Sequence, residues 1–234
     1  MVRMMAHSKR SDFTAAERRD VRSQFLSTPV PDALLGRLLD AAHHSPSVGF
    51  MQPWDFIVIR DLEIRRSIQK CFLEANRRAA ERYSGEQRAL YDGLKLAGIL
   101  DAPMNLCITC DRARTLGAGL GRQSDPATDL YSTVCAVQNL WLAARAESLG
   151  VGWVSILDFD RLRELLHIPA EMVPVAYLCV GFVSEFPVRP QLETAGWEQR
   201  ESLARLIHFD YWGKQDDRRA AELLPPPPAN GAER

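Results

Sequence analysis

The chain has 234 residues, which suits one large domain, and its 46% hydrophobic and 25% charged residues are typical of a soluble globular protein. Lys and Arg number 29 against 30 Asp and Glu, so no overall charge attracts nucleic acid or an anionic membrane, and any anion site must come from a local cluster. The five scattered cysteines do not match a secreted disulfide framework, and neither a signal peptide nor a membrane span is recognisable, so we expect a cytoplasmic protein.

Hydrophobic periodicity and turn residues predict a mixture of helices and strands in which helices dominate. In chain order, a capping box at residues 14–17 predicts the start of a short helix, and further helices are predicted at residues 32–44, 62–83, 86–100, 129–149, 159–166 and 198–209. The predicted strands cover residues 54–60, 104–110, 151–156 and 173–183. Because the strands do not alternate regularly with single helices, the pattern favours an α+β fold over a doubly wound parallel sheet.

Three segments of this pattern have properties beyond their secondary structure. The helix at 129–149 is apolar around most of its circumference, which predicts burial in the core or in a subunit interface, and Gly150 is predicted to end it. Residues 112–128 are rich in glycine and charged residues and show no hydrophobic periodicity, so we expect a mobile loop. The Pro-rich residues 225–234 are expected to be disordered.

Three arginines, Arg18, Arg19 and Arg22, fall within five residues. On a helix, Arg18 and Arg22 would share one face and could grip a single anion, and the planar guanidinium matches a phosphate in a bidentate manner. In a chain of balanced charge, this cluster is a candidate phosphate site. A solvated charged surface is the alternative that the residues alone leave open.

Two further segments could contact a ligand. Residues 45–54 join a predicted helix to a predicted strand and contain two prolines, a glycine and small hydroxyl residues, which suits the polar edges of a ligand; an ordinary loop is the alternative. Residues 152–156 contain Gly152, which permits close backbone approach, and Ser155, predicted as a polar side chain on a buried strand. Ser155 lacks a nucleophile elbow and an evident histidine base, so a core strand with one satisfied hydroxyl is the alternative.

Three further patterns resemble known binding sites but lack the spacing or the structural context that those sites require. Residues 117–121 have the wrong spacing for a dinucleotide fingerprint and follow a charged loop rather than a strand. Cys107 and Cys110 lie in a predicted strand, where residues three apart point to opposite faces, and no second pair accompanies them. His43 and His44 are adjacent on a predicted helix and therefore diverge. We expect no metal site.

Taken together, these segments resemble the flavin-dependent nitroreductase family, and within it the 5,6-dimethylbenzimidazole synthase branch. The resemblance runs over residues 17–213, and its most specific stretches are residues 129–141 and 152–156. The other resembling stretches are residues 18–22, 45–54 and 94–96, together with Gly196, Trp197 and Arg200. Residues 1–16 are expected to form an N-terminal segment, and residues 214–234 a disordered Pro-rich tail.

The resemblance implies a nitroreductase-like α+β fold, with a central mixed or antiparallel sheet flanked by helices, and an intertwined homodimer that binds FMN at the subunit interface. It implies that the FMN phosphate and ribityl chain are bound by Arg18, Arg19, Arg22 and Arg200, and that a loop beside the flavin contains Ser45, Pro46, Ser47, Met51 and Gln52. It also implies that the flavin ring is bordered by Lys95 and Leu96, and that its reactive edge faces a strand containing Trp153, Val154 and Ser155. Residues 112–128 resemble a lid that seals the flavin from solvent.

Asp20 and Ser155 match the synthase branch, whereas an ordinary nitroreductase usually carries a small hydroxyl residue at the position of Asp20. A carboxylate beside a phosphate clamp is unfavourable if the only task is anion binding, because like charges repel. We therefore expect Asp20 to orient groups or to move protons near the flavin. The resemblance implies that Asp20 and Ser155 are the catalytic residues.

In the implied reaction, molecular oxygen fragments reduced FMN into 5,6-dimethylbenzimidazole, the lower ligand of cobalamin, and erythrose 4-phosphate. FMN is then a substrate, supplied in reduced form by a separate flavin reductase. Two alternatives stay open, namely an NAD(P)H-dependent nitroreductase that retains its FMN and a flavin-binding protein without catalysis. One departure from the branch is Asp55, where an amide is often found.

Overall fold

The computed structural model describes residues 15–224, which divide into two compact units after Val188. In the first unit, the helices are α1 (Asp32–His43), α2 (Leu62–Ala80), α3 (Gly85–Asp92), α4 (Thr128–Ala146) and α5 (Phe159–Leu166). The strands are β1 (Trp54–Ile59), β2 (Met104–Asp111), β3 (Leu149–Trp153) and β4 (Met172–Phe182). Residues 15–17 are helical, and Thr14, which opens the predicted capping box, lies outside the described residues.

The strands form a 4-stranded sheet in the order β1-β2-β4-β3, and every neighbouring pair is antiparallel. In this register Trp54 of β1 lies opposite Cys110 of β2, and Val151 of β3 lies opposite Val180 of β4. Helices cover both faces. The predicted α+β fold with a central antiparallel sheet is therefore confirmed, whereas the homodimer stays a prediction.

Side chains along β2 alternate between two hydrophobic cores. Leu106 and Ile108 pack with α1 and α4 on one face, whereas Cys107 packs with α2 and α5 on the other. Because both faces are covered, β2 is buried along nearly its whole length. No helix within residues 15–224 has both the length and the apolar composition that a membrane span requires.

The helix predicted at residues 86–100 is wrong beyond Asp92, where α3 ends. Residues 94–101 form a loop instead, with Ala97 and Ile99 buried in the core between the sheet and α2. Gly98 lies against the Arg22 carbonyl oxygen, since a Cβ added to it would stand 2.7 Å from that atom. These tertiary contacts override the local helical pattern.

The connection between α4 and β3 also differs from the prediction. α4 ends at Ala146, and the chain turns at Ser148, which has a left-handed φ of 60°. Gly150 lies within β3, so its predicted role as the residue that ends the helix is wrong. The core side of α4 is buried as predicted, but its opposite side exposes Tyr131 and Val134 in this single chain.

The second unit runs from Arg189 and contains α6 (Gln191–Thr194), a 3-10 turn (Leu203–Leu206) and α7 (Asp217–Leu223). The helix predicted at residues 198–209 is wrong, because only the short turn forms there. α7 lies in the segment assigned to a disordered tail, so that prediction is wrong for these residues. The Asp216 carboxylate stabilises α7 by accepting the backbone N–H of Arg219 at 2.9 Å. The Pro-rich residues 225–234 lie outside the described residues.

Candidate active site

Residues 18–22 run beside the edge strand β3. The backbone N–H of Val21 donates to the carbonyl of Val151 at 3.0 Å, and Asp20 forms a parallel bridge with the same residue. Gly152 makes this approach possible, because a Cβ at that position would overlap the Val21 carbonyl oxygen. The segment is extended rather than helical, so the expectation that Arg18 and Arg22 share one helical face is wrong.

Two of the three arginines in this segment are already engaged by the protein. Arg19 is buried and donates to backbone carbonyls, among them that of Val188 at 2.6 Å. Arg22 donates to the carboxylate of Asp20 in a partly buried ion pair. Arg19 therefore anchors the segment, and the charge of Arg22 is balanced from within the site.

Arg18 differs from both neighbours. Its guanidinium carbon lies 4.7 Å from the centre of the Trp141 ring, in a cation–π contact. Within residues 15–224 its guanidinium N–H groups have no acceptor. Arg18 is therefore the arginine of the cluster whose donors are available to an anion.

Asp20 is held at both oxygens. Its Oδ1 accepts the backbone N–H of Trp153 at 3.0 Å, and its Oδ2 accepts from Arg22. Burial raises the pKa of this carboxyl above its ordinary value of 3.8, although Arg22, the Trp153 N–H and Arg18 act in the opposite direction. The structure thus supplies an oriented carboxyl that holds its proton to higher pH than a free aspartate does.

Ser155 follows the end of β3 and is exposed, so its prediction as a side chain on a buried strand is wrong. Just beyond Trp153, the last residue of β3, Val154 buries its side chain in the core and donates its N–H to the carbonyl of Tyr177 at 2.9 Å. Trp153 is partly buried, and its ring lies 6.4 Å from that of Trp141. The Ser155 hydroxyl is thus accessible from the surface of this chain.

The loop at residues 45–52 is ordered by the hydroxyl of Ser47. Ser47 Oγ accepts the backbone N–H of Gln52 at 3.0 Å, while Met51 is buried. Gln52 has a left-handed φ of 49°, which costs a non-glycine residue conformational energy and is common at ligand-binding sites. Pro46 is exposed, whereas Ser45 is buried with a hydroxyl that has no partner within residues 15–224.

Lys95 and Leu96 lie on the loop that packs against residues 18–22. Lys95 forms an ion pair with Asp101 at 2.9 Å, and Leu96 is partly buried against the core. Because Gly98 touches the Arg22 carbonyl, this loop lies next to the arginine segment, and the place of Lys95 and Leu96 beside the flavin ring stays a prediction. Arg200 is exposed in the second unit, and its role toward the phosphate stays a prediction.

The segment at residues 112–128 packs onto the loop at residues 45–52. A Cβ on Gly117 would overlap the carbonyl of Gly49, and Gly121 lies against Val48. Gly117 also has a left-handed φ of 76°, so two independent constraints favour glycine there. The two loops therefore pack together as one continuous wall.

Three arginines fix this segment to the body of the unit. Arg114 donates to the Asp55 carboxylate at 2.7 Å, which gives that carboxylate a partner and accounts for its departure from an amide. Arg112 and Arg122 both donate to Asp129, a fully buried carboxylate in the first turn of α4, at 3.1 and 2.9 Å. The mobility expected for the segment stays a prediction, but these ion pairs identify the contacts that opening would have to break.

Comparison with known proteins decides the family. A model of the nitroreductase family matches residues 15–182. The chain belongs to the nitroreductase family. It is 44% identical to the 5,6-dimethylbenzimidazole synthase of Rhodospirillum rubrum, over 78% of this chain and 86% of that protein. A 5,6-dimethylbenzimidazole synthase of Rhodobacter capsulatus is 41% identical, over 78% of this chain and 87% of the relative.

At this identity and coverage, the chain belongs to the 5,6-dimethylbenzimidazole synthase branch of the nitroreductases. Among solved structures, an oxidised iodotyrosine deiodinase bound to FMN and 3-iodo-L-tyrosine resembles the fold with a TM-score of 0.66. That likeness covers 84% of this chain and 99% of the deiodinase at 21% identity, which supports the fold alone.

Sequence reasoning does not single out three residues that make these contacts, namely Trp141, Arg114 and Asp129. The hydrophobic pattern of residues 129–149 makes Trp141 one apolar residue of a buried helix, although a tryptophan whose ring can face an arginine is a recognisable signal. Arg114 and Asp129 lie in or next to a charged loop, and no local pattern indicates their partners. Their ion pairs depend on how the loop folds back on β1 and α4.

Proposed function

We propose that this nitroreductase uses molecular oxygen to fragment reduced FMN into 5,6-dimethylbenzimidazole and erythrose 4-phosphate, with the pyrimidine portion of the flavin ring leaving as a third fragment. This step supplies the lower ligand of cobalamin. The proposal is supported by the curated synthases that it resembles. The observation that carries it is the environment of Asp20, a carboxyl with a raised pKa, fixed by Arg22 and by the Trp153 N–H.

The residues present fit FMN. The free guanidinium donors of Arg18 suit a phosphate, since charge-assisted bonds to phosphate are among the strongest that a side chain makes. The buried Ser45 hydroxyl has no partner within the described part of the chain, and such a group is costly unless something completes its hydrogen bonding. Reduced FMN would supply the ring system that is cleaved and the electrons that oxygen accepts.

The side chains of this protein would bind, orient and move protons. Arg18 binds the phosphate, and the Asp20 carboxyl exchanges a proton while the Trp153 N–H and Arg22 hold it in place. Ser155, two residues beyond Trp153, offers an exposed hydroxyl as a second proton-transfer group. The wall formed by residues 45–52 and 112–128 would exclude water, which would otherwise compete with the reaction.

We further propose a homodimer that forms through the exposed side of α4. Tyr131 and Val134 are 57% and 41% exposed on this helix, and Cys135 beside them is also exposed. An apolar surface on a long helix is commonly covered by a partner. The same helix carries Trp141 on its buried side, so a partner seated on α4 would lie close to the site.

Reduced FMN would come from a separate flavin reductase, so the protein itself would not consume NAD(P)H. The test is to reduce FMN photochemically without oxygen, add the protein, admit air, and analyse the products by mass spectrometry. The proposal predicts equimolar 5,6-dimethylbenzimidazole and erythrose 4-phosphate. Intact FMN after complete oxidation would refute it.

Two controls separate the remaining alternatives. Steady oxidation of NAD(P)H with a nitroaromatic acceptor would identify a nitroreductase that retains its FMN. Tight flavin binding with neither activity would identify a binding protein. Heat-denatured protein with the same flavin establishes the background of uncatalysed flavin oxidation.

A further inference from the structure

Trp141 lies at the junction of the arginine segment and β3. It is 7% exposed, on the buried side of α4 beside Leu140, and its Nε1–H donates to the backbone carbonyl of Arg19 at 3.3 Å. This hydrogen bond ties the indole to the segment that carries Arg18. The ring is therefore fixed by the core on one side and by the backbone on the other.

The contact between Trp141 and Arg18 holds a cation without neutralising it. A carboxylate partner would occupy guanidinium donors and cancel the charge, as Asp20 does for Arg22 and Glu17 does for Arg145. The face of an aromatic ring attracts the cation but accepts none of its in-plane hydrogen bonds. Arg18 thus keeps both its charge and its donors for an anion.

The same indole also packs near Trp153, the residue whose backbone holds Asp20. Its ring lies 6.4 Å from the ring of Trp153, whose backbone N–H is accepted by Asp20 at 3.0 Å. One buried side chain therefore contacts the anion-binding arginine and the residue that orients the carboxyl. A shift of the indole would move Arg18 relative to Asp20.

We propose that Trp141 is a positioning residue that presents Arg18, charged and with free donors, to the phosphate of FMN. This rests on the proposed function, because it assigns the phosphate of that same substrate to Arg18. Trp141 does not itself touch the reacting atoms. Its contribution is to the recognition of the phosphate and to the distance between the phosphate site and Asp20.

The test compares FMN with riboflavin, which has the same ring system and no phosphate. Dissociation constants of both flavins are measured by fluorescence quenching for the wild type, Trp141→Leu and Trp141→Phe. We expect Trp141→Leu to weaken FMN binding about 5- to 30-fold and to leave riboflavin binding within about twofold, while Trp141→Phe retains most of the preference. In turnover, KM for reduced FMN rises more than kcat falls.

A double-mutant cycle shows whether Trp141 acts through Arg18. Arg18→Gln alone should abolish the preference for FMN over riboflavin, and adding Trp141→Leu should cause little further loss. Leu140→Ala is the matched control, because it removes a fully buried neighbour on α4 that belongs to the core between α4 and the sheet. It should lower stability and leave the FMN-to-riboflavin ratio unchanged.

Equal weakening of both flavins by Trp141→Leu, or additive losses in the cycle, would overturn the positioning role. If the Leu variant does not fold, Trp141→Met provides a flexible apolar replacement without a ring, with the same expected loss of preference. A wild type that binds neither flavin contradicts the proposed function itself. An unchanged FMN preference in the Leu variant contradicts only the role of Trp141.

Discussion

The Asp20 carboxylate accepts the backbone N–H of Trp153 at 3.0 Å, across 133 positions of the chain. This bond joins the arginine segment to the end of β3, where Ser155 follows. Because Oδ1 is fixed, the other oxygen is directed at Arg22, and the carboxyl cannot rotate freely. The proposed chemistry depends on this one orientation, and the first two predictions concern it.

Asp20→Asn should retain flavin binding and lose the product. The amide oxygen can still accept the Trp153 N–H, so the shape of the site is kept, but the side chain can no longer exchange a proton. We expect reduced FMN to bind within about threefold of the wild type and the product yield to fall at least about 100-fold, the range of general acid–base catalysis. Asp40→Asn, an exposed carboxylate on α1, is the control and should leave the yield unchanged. Normal yield from Asp20→Asn would remove Asp20 from the mechanism.

The raised pKa of Asp20 should appear in the pH dependence of stability. Because the folded state holds this proton more tightly than the unfolded state, the stability that Asp20 contributes is full below its ordinary pKa of 3.8 and is lost as pH rises through the folded-state value. Asn does not titrate. The free energy of unfolding of the wild type minus that of Asp20→Asn should therefore fall as the pH rises above the ordinary pKa of 3.8, as measured by urea titration. A difference that rises with pH would show that the pKa is lowered instead.

Gly152→Ala should separate the arginine segment from β3. The added Cβ overlaps the Val21 carbonyl, so either the strand or the segment must move, at a cost of about 1–3 kcal/mol of unfolding free energy. Gly36→Ala on α1 is the matched control, because nothing lies within 4 Å of its added Cβ. That control should gain about 0.5–1 kcal/mol from helix propensity. Similar effects of the two substitutions would argue against the close approach.

Gly117→Ala should weaken the packing between residues 112–128 and the loop at residues 45–52, whereas Gly119→Ala should not. The two glycines have nearly equal left-handed φ values of 76° and 74°, so both substitutions carry the same backbone cost. Only the Cβ at Gly117 overlaps Gly49, and the space around Gly119 is open. Trypsin should cleave the segment at residues 112–128 faster in the Gly117 variant than in the Gly119 variant or the wild type. Equal rates in the two variants would mean that the loops do not support each other.

Val134→Lys should convert the proposed dimer into monomers. A charge at the centre of the exposed side of α4 would have to be desolvated on association. Leu73→Lys is the control, because Leu73 is 53% exposed on α2 and lies outside the proposed interface. Analytical ultracentrifugation should give a monomer for the first variant and a dimer for the second. A wild type that sediments as a monomer would contradict the proposed interface.

Local sequence was sufficient to predict the bounds of the helices that have a strong hydrophobic periodicity. α5 begins and ends at the predicted residues, and α1 differs from its prediction by one residue, because an amphipathic repeat and an adjacent turn act within a few positions. The same reasoning failed at residues 94–100. That segment has a helical pattern, but Gly98 must pass beside the Arg22 carbonyl, and this contact is not local.

By itself, the sequence determined that a cluster of arginines and one aspartate would lie next to each other in an α+β nitroreductase. Only the tertiary structure decided their separate tasks. Arg19 meets the carbonyl of Val188, Arg18 meets the ring of Trp141, and Asp20 meets an N–H of β3. Two arginines and one aspartate thus acquire different environments, because the partners of Asp20 and Arg19 lie 133 and 169 positions away along the chain.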